Sequence, residues 1–233
     1  MDVTWQSGPL ESWFDIHEAI RKEFPRLRKM ADDTDLGDTN GLKRLSDEVV
    51  FFAEVLTVHS LSEDGVGFPI MRSRGISVPE SLSEDHHREL TAIYDIRRSC
   101  LELLFHEEGQ DVAPALDRVR QQLAALETDL NAHITTEDDV IIPQAMALFS
   151  PQEQAHLVVR MVAHTPAWLS ETVLPWMIES ISREHRVHLL KVWVDNMPPE
   201  ALREKVGVIR AGVSPDTWRD LVEGVPGIGK AGG

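Results

Sequence analysis

A single cysteine, Cys100, in 233 residues excludes an intramolecular disulfide framework and a cysteine-based zinc module. That thiol usage fits a reducing cytoplasm, the expected location. Long hydrophobic runs are also missing. The most apolar stretches, VVFFAEVL and HLVVRMVAH, are broken by Glu54 and Arg160 and fall well below the ~18 residues a membrane-spanning helix needs. The opening MDVTWQSGPLESWFD has neither a basic n-region nor an apolar h-region, so no signal peptide is expected. Basic residues are the scarcer sign, 23 against 39 acids, for a formal charge of -16. Such a surface repels phosphate, and neither nucleic acid nor a membrane is an expected partner. No sustained alternation of β-branched and aromatic residues occurs either, which argues against a sheet.

What recurs instead is apolar spacing of three and four, predicting an all-α protein. Four long helices are expected at about 11–31, with a bend at Pro25, then 42–64, 83–107 and 114–149. The stretch GVGFPIMRSRGISVPESLS at 65–83 reads as an irregular loop because of its glycine, proline and serine content. Beyond 150 the rhythm shortens. Ser150-Pro151-x-Glu153 has the pattern of a capping box, and HTP, LPW, MPP and VSPD punctuate shorter helices. The expected division is a four-helix bundle over 1–150, a helical extension over 151–224 and a flexible tail over 225–233. Trp168, Trp176, Trp193 and Trp218 read as core or docking residues of the extension.

One pattern is written twice. HSLSEDGVGFP at 59–69 and HITTEDDVIIP at 133–143 share H-x-x-x-E-D-x-V-x-[FI]-P. The first continues a stripe of Leu45, Val49, Phe52 and Leu56 into His59 and Glu63; the second continues Leu116, Val119, Leu123, Leu126 and Leu130 into His133, Glu137 and Val140. Both pairs should therefore point into the bundle. A carboxylate there is costly unless it is paired or holds a metal, so two inward glutamates beside two inward histidines call for a cation. The first helix places His17 in line with Phe14, Ile20 and Phe24, and the third offers His86 and His87 ahead of Leu90 and Tyr94. The remaining His156, His164, His185 and His188 have no carboxylate four residues on and read as surface or packing residues.

A histidine on the first helix, H-x-x-x-E on the second, a histidine on the third and H-x-x-x-E on the fourth together resemble the hemerythrin-like, or HHE, domain over about residues 10–149. The resemblance implies an up-down-up-down four-helix bundle holding two irons with bridging carboxylates. It makes His17, His59, Glu63, His87, His133 and Glu137 the ligands, His87 being preferred to His86 because His87-x-x-Leu90 echoes His17-x-x-Ile20. His86 and Tyr94 stand as the alternatives on the third helix. Imidazole with carboxylate also suits zinc or manganese; the resemblance selects iron. Oxygen-carrying members of the family use five histidines, with H-x-x-x-H on the third helix. Here Leu90 and Thr91 stand four residues after His86 and His87. Four histidines, two bridging carboxylates and an oxo or hydroxo bridge would leave about two of about twelve iron positions open, favouring chemistry on a diatomic or peroxide over reversible oxygen storage.

The extension resembles the segment that follows hemerythrin domains in iron-sensing ubiquitin ligases of plants, without their cysteine-rich modules. Three functions are therefore expected in competition. The first is a diiron oxidoreductase binding oxygen, nitric oxide or hydrogen peroxide. The second is an iron or redox sensor that reaches a protein partner through the extension. The third is a diiron oxygenase acting on an organic substrate.

Overall fold

The structure, a computed structural model, describes residues 8–107, 110–163 and 165–231. Among them there is no strand, and no helix is long and apolar enough to cross a membrane. The helices are α1 (Glu11–Asp33), α2 (Thr39–Ser62), α3 (Phe68–Ser73), α4 (Glu80–Leu104), α5 (Ala113–Thr136), α6 (Ile142–Leu148) and α7 (Pro151–Val162). They continue as α8 (Ala167–Ser180), α9 (Arg183–Asn196), α10 (Pro199–Gly212), α11 (Pro215–Gly224) and α12 (Ile228–Ala231). Two five-residue π-helical segments, Glu63–Gly67 and Glu137–Ile141, join α2 to α3 and α5 to α6. Two units result: one runs from Glu23 to Pro143, and the other combines the chain up to Lys22 with the chain from Gln144.

In the first unit, α1 from Glu23 onward, α2, α4 and α5 form the up-down-up-down bundle. The short connections after α1 and α4 make sequential helices antiparallel neighbours. Its apolar stripes meet as the spacing requires: Phe24 and Phe52 are fully buried and cross edge to face with ring centroids 5.2 Å apart. Leu27, Val49, Val119 and Leu123 are equally sealed. Asp38 caps α2 by accepting from the Asn40 backbone N–H, which satisfies one of the donors a helix start leaves unpaired. At the other end of α1, Arg120 donates to the Ala31 carbonyl at 3.1 Å. Arg28 reaches Glu127 at 2.8 Å across the bundle surface.

Residues 65–83 differ from the expected loop. The chain stays helical through Ser73, turns at Gly75 with φ 87°, and re-enters helix at Glu80. The reason lies in the prolines. Inside an α-helix a proline ring collides with the carbonyl four residues back and removes a hydrogen bond. Here the turn ahead of each proline is one residue wider: Phe68 N–H bonds to Glu63 O and Ile142 N–H to Glu137 O, five residues back. Pro69 then sits near the start of α3, where its missing N–H costs little.

The second unit packs Ile178, Leu190, Val206, Ile209 and Leu221 with Ala19 of α1 into one core. The capping box at Ser150 forms in both directions. Arg186 ties the end of α8 to α11 by donating to Glu179 O at 2.8 Å, Ile181 O at 2.9 Å and Thr217 Oγ1 at 3.1 Å. Trp176, Trp193 and Trp218 lie partly buried against this core, whereas Trp168 is exposed. Val225 and Ile228, in the segment expected to be a flexible tail, are buried in it. His164 lies outside the described residues.

The Phe24–Phe52 contact sets an expectation for the bundle. Phe52→Ala should cost about 3–5 kcal/mol, because a buried ring is lost and its partner keeps the cavity. Urea denaturation followed by far-UV circular dichroism measures it, and a loss below about 1 kcal/mol would mean that the core collapses freely around this position.

Candidate metal centre

The stripes of α2 and α5 end on polar residues at the same point of each helix. His59 and His133 lie in the last turn, and Glu63 and Glu137 are the first residues of the two π-helical segments. The wider turn shifts the register by one residue. Val140, which α-helical spacing places inward, is 46% exposed, and Ile141 is buried in its stead. Each glutamate is thus fixed at the junction where the helix face changes.

Glu63, His86, His133 and Glu137 each offer a ligand atom, and these atoms all lie within 4.8 Å of one another. All four residues are buried, both glutamates completely. His86 Nε2 is 2.9 Å from Glu63 Oε2, and His133 Nε2 is 3.2 Å from Glu137 Oε1. His59 Nδ1 approaches Glu63 from the other oxygen at 3.3 Å. The two inner imidazoles have ring centroids 4.5 Å apart, and Phe68 stacks parallel on His86 at 5.7 Å.

The opposite edges of the two rings are also held. His86 Nδ1 lies 3.0 Å from Asp64 Oδ2, and Ser83 Oγ donates to the other Asp64 oxygen at 2.5 Å. His133 Nδ1 lies 2.9 and 3.0 Å from the two Glu89 oxygens. With Nδ1 engaged by a carboxylate, Nε2 is presented toward Glu63 and Glu137. This is the arrangement in which metal-binding histidines are oriented and their donor strength is raised.

Electrostatics point the same way. Burial would lower the His133 imidazole, yet its hydrogen bonds with Glu137 and Glu89 outweigh burial and push it up to about 10. His86 is likewise raised against burial, chiefly by Glu63. The carboxylate walls thus retain positive charge where a cation would sit, and nitrogen with oxygen donors fit iron, manganese or zinc. The residues present suit a metal.

Two expected residues fall elsewhere. His87 is exposed, and His86 occupies the inward place. The buried side of α4 runs Leu82, His86, Glu89, Ile93, Ile96, Cys100 and Leu103, whereas Leu90, on which the choice of His87 leaned, is only half-buried. Glu89 disguised that stripe by putting an acid where an apolar residue is expected. Tyr94 is 39% exposed, with its hydroxyl 3.2 Å from Thr57 Oγ1 and the Arg97 guanidinium 6.0 Å from its ring, so it is not one of the residues brought together. His17 is fully buried on the part of α1 that belongs to the other unit. Asp64 and Glu89 stand outside the ligand set that the sequence pattern predicts. Asp64 was nevertheless part of the repeated E-D, and Glu89 stands one turn after His86.

The family described as the hemerythrin HHE cation binding domain matches residues 8–145. Among curated proteins, the chain is similar to the zinc finger protein BRUTUS-like At1g74770 of Arabidopsis thaliana, 26% identical over 196 residues. It is also similar to zinc finger protein BRUTUS of the same plant, 26% identical over 179 residues. The matches take in 82% and 75% of this chain but only 15% and 14% of those relatives, so the chain spans a small part of their length. No solved structure matches it.

If Glu89 orients His133, Glu89→Ala should lower affinity for a divalent cation about 10- to 100-fold. Competition against a chromogenic chelator measures this directly; wild-type affinity in the variant would remove Glu89 from the site.

Proposed function

The chain belongs to the hemerythrin HHE cation-binding family, and from that membership we propose that it is a cytoplasmic non-haem diiron protein that binds and reacts with oxygen, nitric oxide or hydrogen peroxide. The observation that carries this reading is the buried quartet of Glu63, His86, His133 and Glu137, whose ligand atoms lie within 4.8 Å of one another. Two carboxylates sealed among two imidazoles suit more than one positive charge, as a pair of irons would supply.

The residues proposed to hold the irons are His17, His59, Glu63, His86, His133 and Glu137, which would supply four imidazoles and two carboxylates. His86 replaces His87 because it is the inward histidine of α4. His17 is included for its place in the sequence stripe and its burial. Bound iron would supply Lewis acidity and redox chemistry to a small molecule. The chain's own residues do the rest: Asp64 and Glu89 fix which ring nitrogen faces inward, and Glu63 and Glu137 provide the negative charge that retains the cations. Phe68, Leu56, Ile93 and Leu130, all buried, limit water around the site. Such a wall admits small molecules more readily than large ones.

A second reading, an iron or redox sensor reaching a protein partner through the extension, draws on the pairing of His185 and His188 with acids of α1. The two readings part on turnover.

Anaerobic reconstitution with ferrous iron should give about two irons per chain. His86→Ala and His133→Ala should each lose at least about half of that metal, while His87→Ala should keep it. Elemental analysis with the absorption spectrum reports the outcome. Peroxide or nitric oxide consumption in proportion to bound iron supports the reactive protein, and an inert iron-loaded protein supports the sensor. Full iron content in both His86→Ala and His133→Ala would end the metal reading at this quartet.

A further inference from the structure

Glu11, Asp15, Glu18 and Ala19 of α1 recur at helical spacing and share one side of the helix. The C-terminal helices engage that side at every one of these positions. His185 Nδ1 lies 2.6 Å from Glu18 Oε2 and 3.3 Å from Asp15 Oδ1. His188 Nε2 pairs with Glu11 Oε2, and the Ser182 backbone N–H donates to Glu18 Oε1 at 3.1 Å. Ala19 completes the contact inside the core formed by Ile178, Leu190 and Ile209. Glu11 and Asp15 are 2% and 3% exposed while His185 and His188 are only half-buried, so the pairs are partly buried and their disruption would strand a carboxylate away from water. Hydrogen bonds with Asp15 and Glu18 raise His185 to about 9, which keeps the imidazolium charged around neutral pH.

His17 lies within the same two turns. Two residues from Asp15 and two from Ala19, it projects from the opposite side of the helix and is fully buried. We propose that the clasp formed by Ser182, His185 and His188 is a positioning device for His17, so that iron held by His17 and order in α9 are linked. The inference rests on the reading of His17 as an iron ligand. A rotation of α1 by about 20° would carry an imidazole nitrogen about 2 Å, because side chains reach about 5–6 Å from the helix axis. Metal–ligand bonds tolerate only about 0.2 Å. Small changes in the clasp therefore suffice to gate the ligand. By thermodynamic reciprocity, a metal that fixes His17 also favours the clasped state of α9.

The test uses the full chain, loaded anaerobically with ferrous iron. The His185→Ala/His188→Ala double variant should bind one of its two irons about 10-fold or more weakly and keep the other at wild-type affinity. His185→Gln, which retains a donor toward Asp15 and Glu18, should recover part of the loss. In the wild type, iron loading should slow amide hydrogen exchange across α9 several-fold, and His17→Ala should abolish that slowing. Wild-type affinity for both irons in the double variant, or an equal loss of both, would overturn the clasp as a positioning device. Should His17→Ala itself leave iron content and α9 exchange unchanged, the assignment of His17 as a ligand fails, and the inference with it.

Discussion

Everything at the centre of the bundle follows from two carboxylates, Glu63 and Glu137, that have no access to water. An apolar core of helices would reject them singly, because desolvating a carboxylate costs several kcal/mol even after relaxation. What offsets that cost is the set of imidazoles around them, His59, His86 and His133, with Asp64 and Glu89 behind the last two. Hydrogen bonds with Glu137 and Glu89 outweigh burial and push the His133 imidazole up to about 10, so a proton on that ring supplies part of the balancing charge. A metal ion would supply it more completely and with fixed geometry. A core whose buried carboxylates need balancing positive charge gains stability from a cation bound there, so folding and metal affinity are expected to be coupled in this protein.

The repeated E-D-x-V-x-[FI]-P does more than deliver two glutamates. An α-helix that carried its stripe straight through Val140 would turn that valine inward and Ile141 outward. The proline about three turns after each histidine disfavours an unbroken α-helix there, and the π-helical turn that accommodates it begins on the glutamate itself. Local backbone chemistry and the position of the buried carboxylate are thereby the same feature: each glutamate stands where the face of the helix shifts. Asp64, immediately after the first of these glutamates, is carried by the shift to the edge of His86, where it orients the ring.

The four-helix pattern was legible in the sequence because the stripes on α2 and α5 are long and cleanly apolar up to their histidines. The inward placement of His59, Glu63, His133 and Glu137 was legible for the same reason. Helix α4 was not. Its inward face includes His86 and Glu89, two polar residues in consecutive turns, so the apolar period is interrupted where the site begins, and Leu90 offered a misleading alternative stripe that favoured His87. Residues 65–73 were hidden differently: glycine and proline signal a loop on average, but a widened turn ahead of a proline preserves the helix. Asp64 and Glu89 act through another side chain rather than on a ligand, and no spacing rule in one sequence marks such a role.

The order of polar residues on α4 bears on reactivity. One helical turn past His86 the inward place is held by Glu89, and Leu90 stands where a second imidazole would be needed for a fifth histidine. Glu89 is committed to His133 through both of its oxygens. A carboxylate in that position strengthens the imidazole as a donor without occupying a coordination place of its own. The helix therefore places one imidazole, His86, and one orienting carboxylate, Glu89, at the quartet, and Ile93 is buried on the same side. For a metal held here, this division would mean that α4 offers one imidazole directly and strengthens a second, on α5, through Glu89.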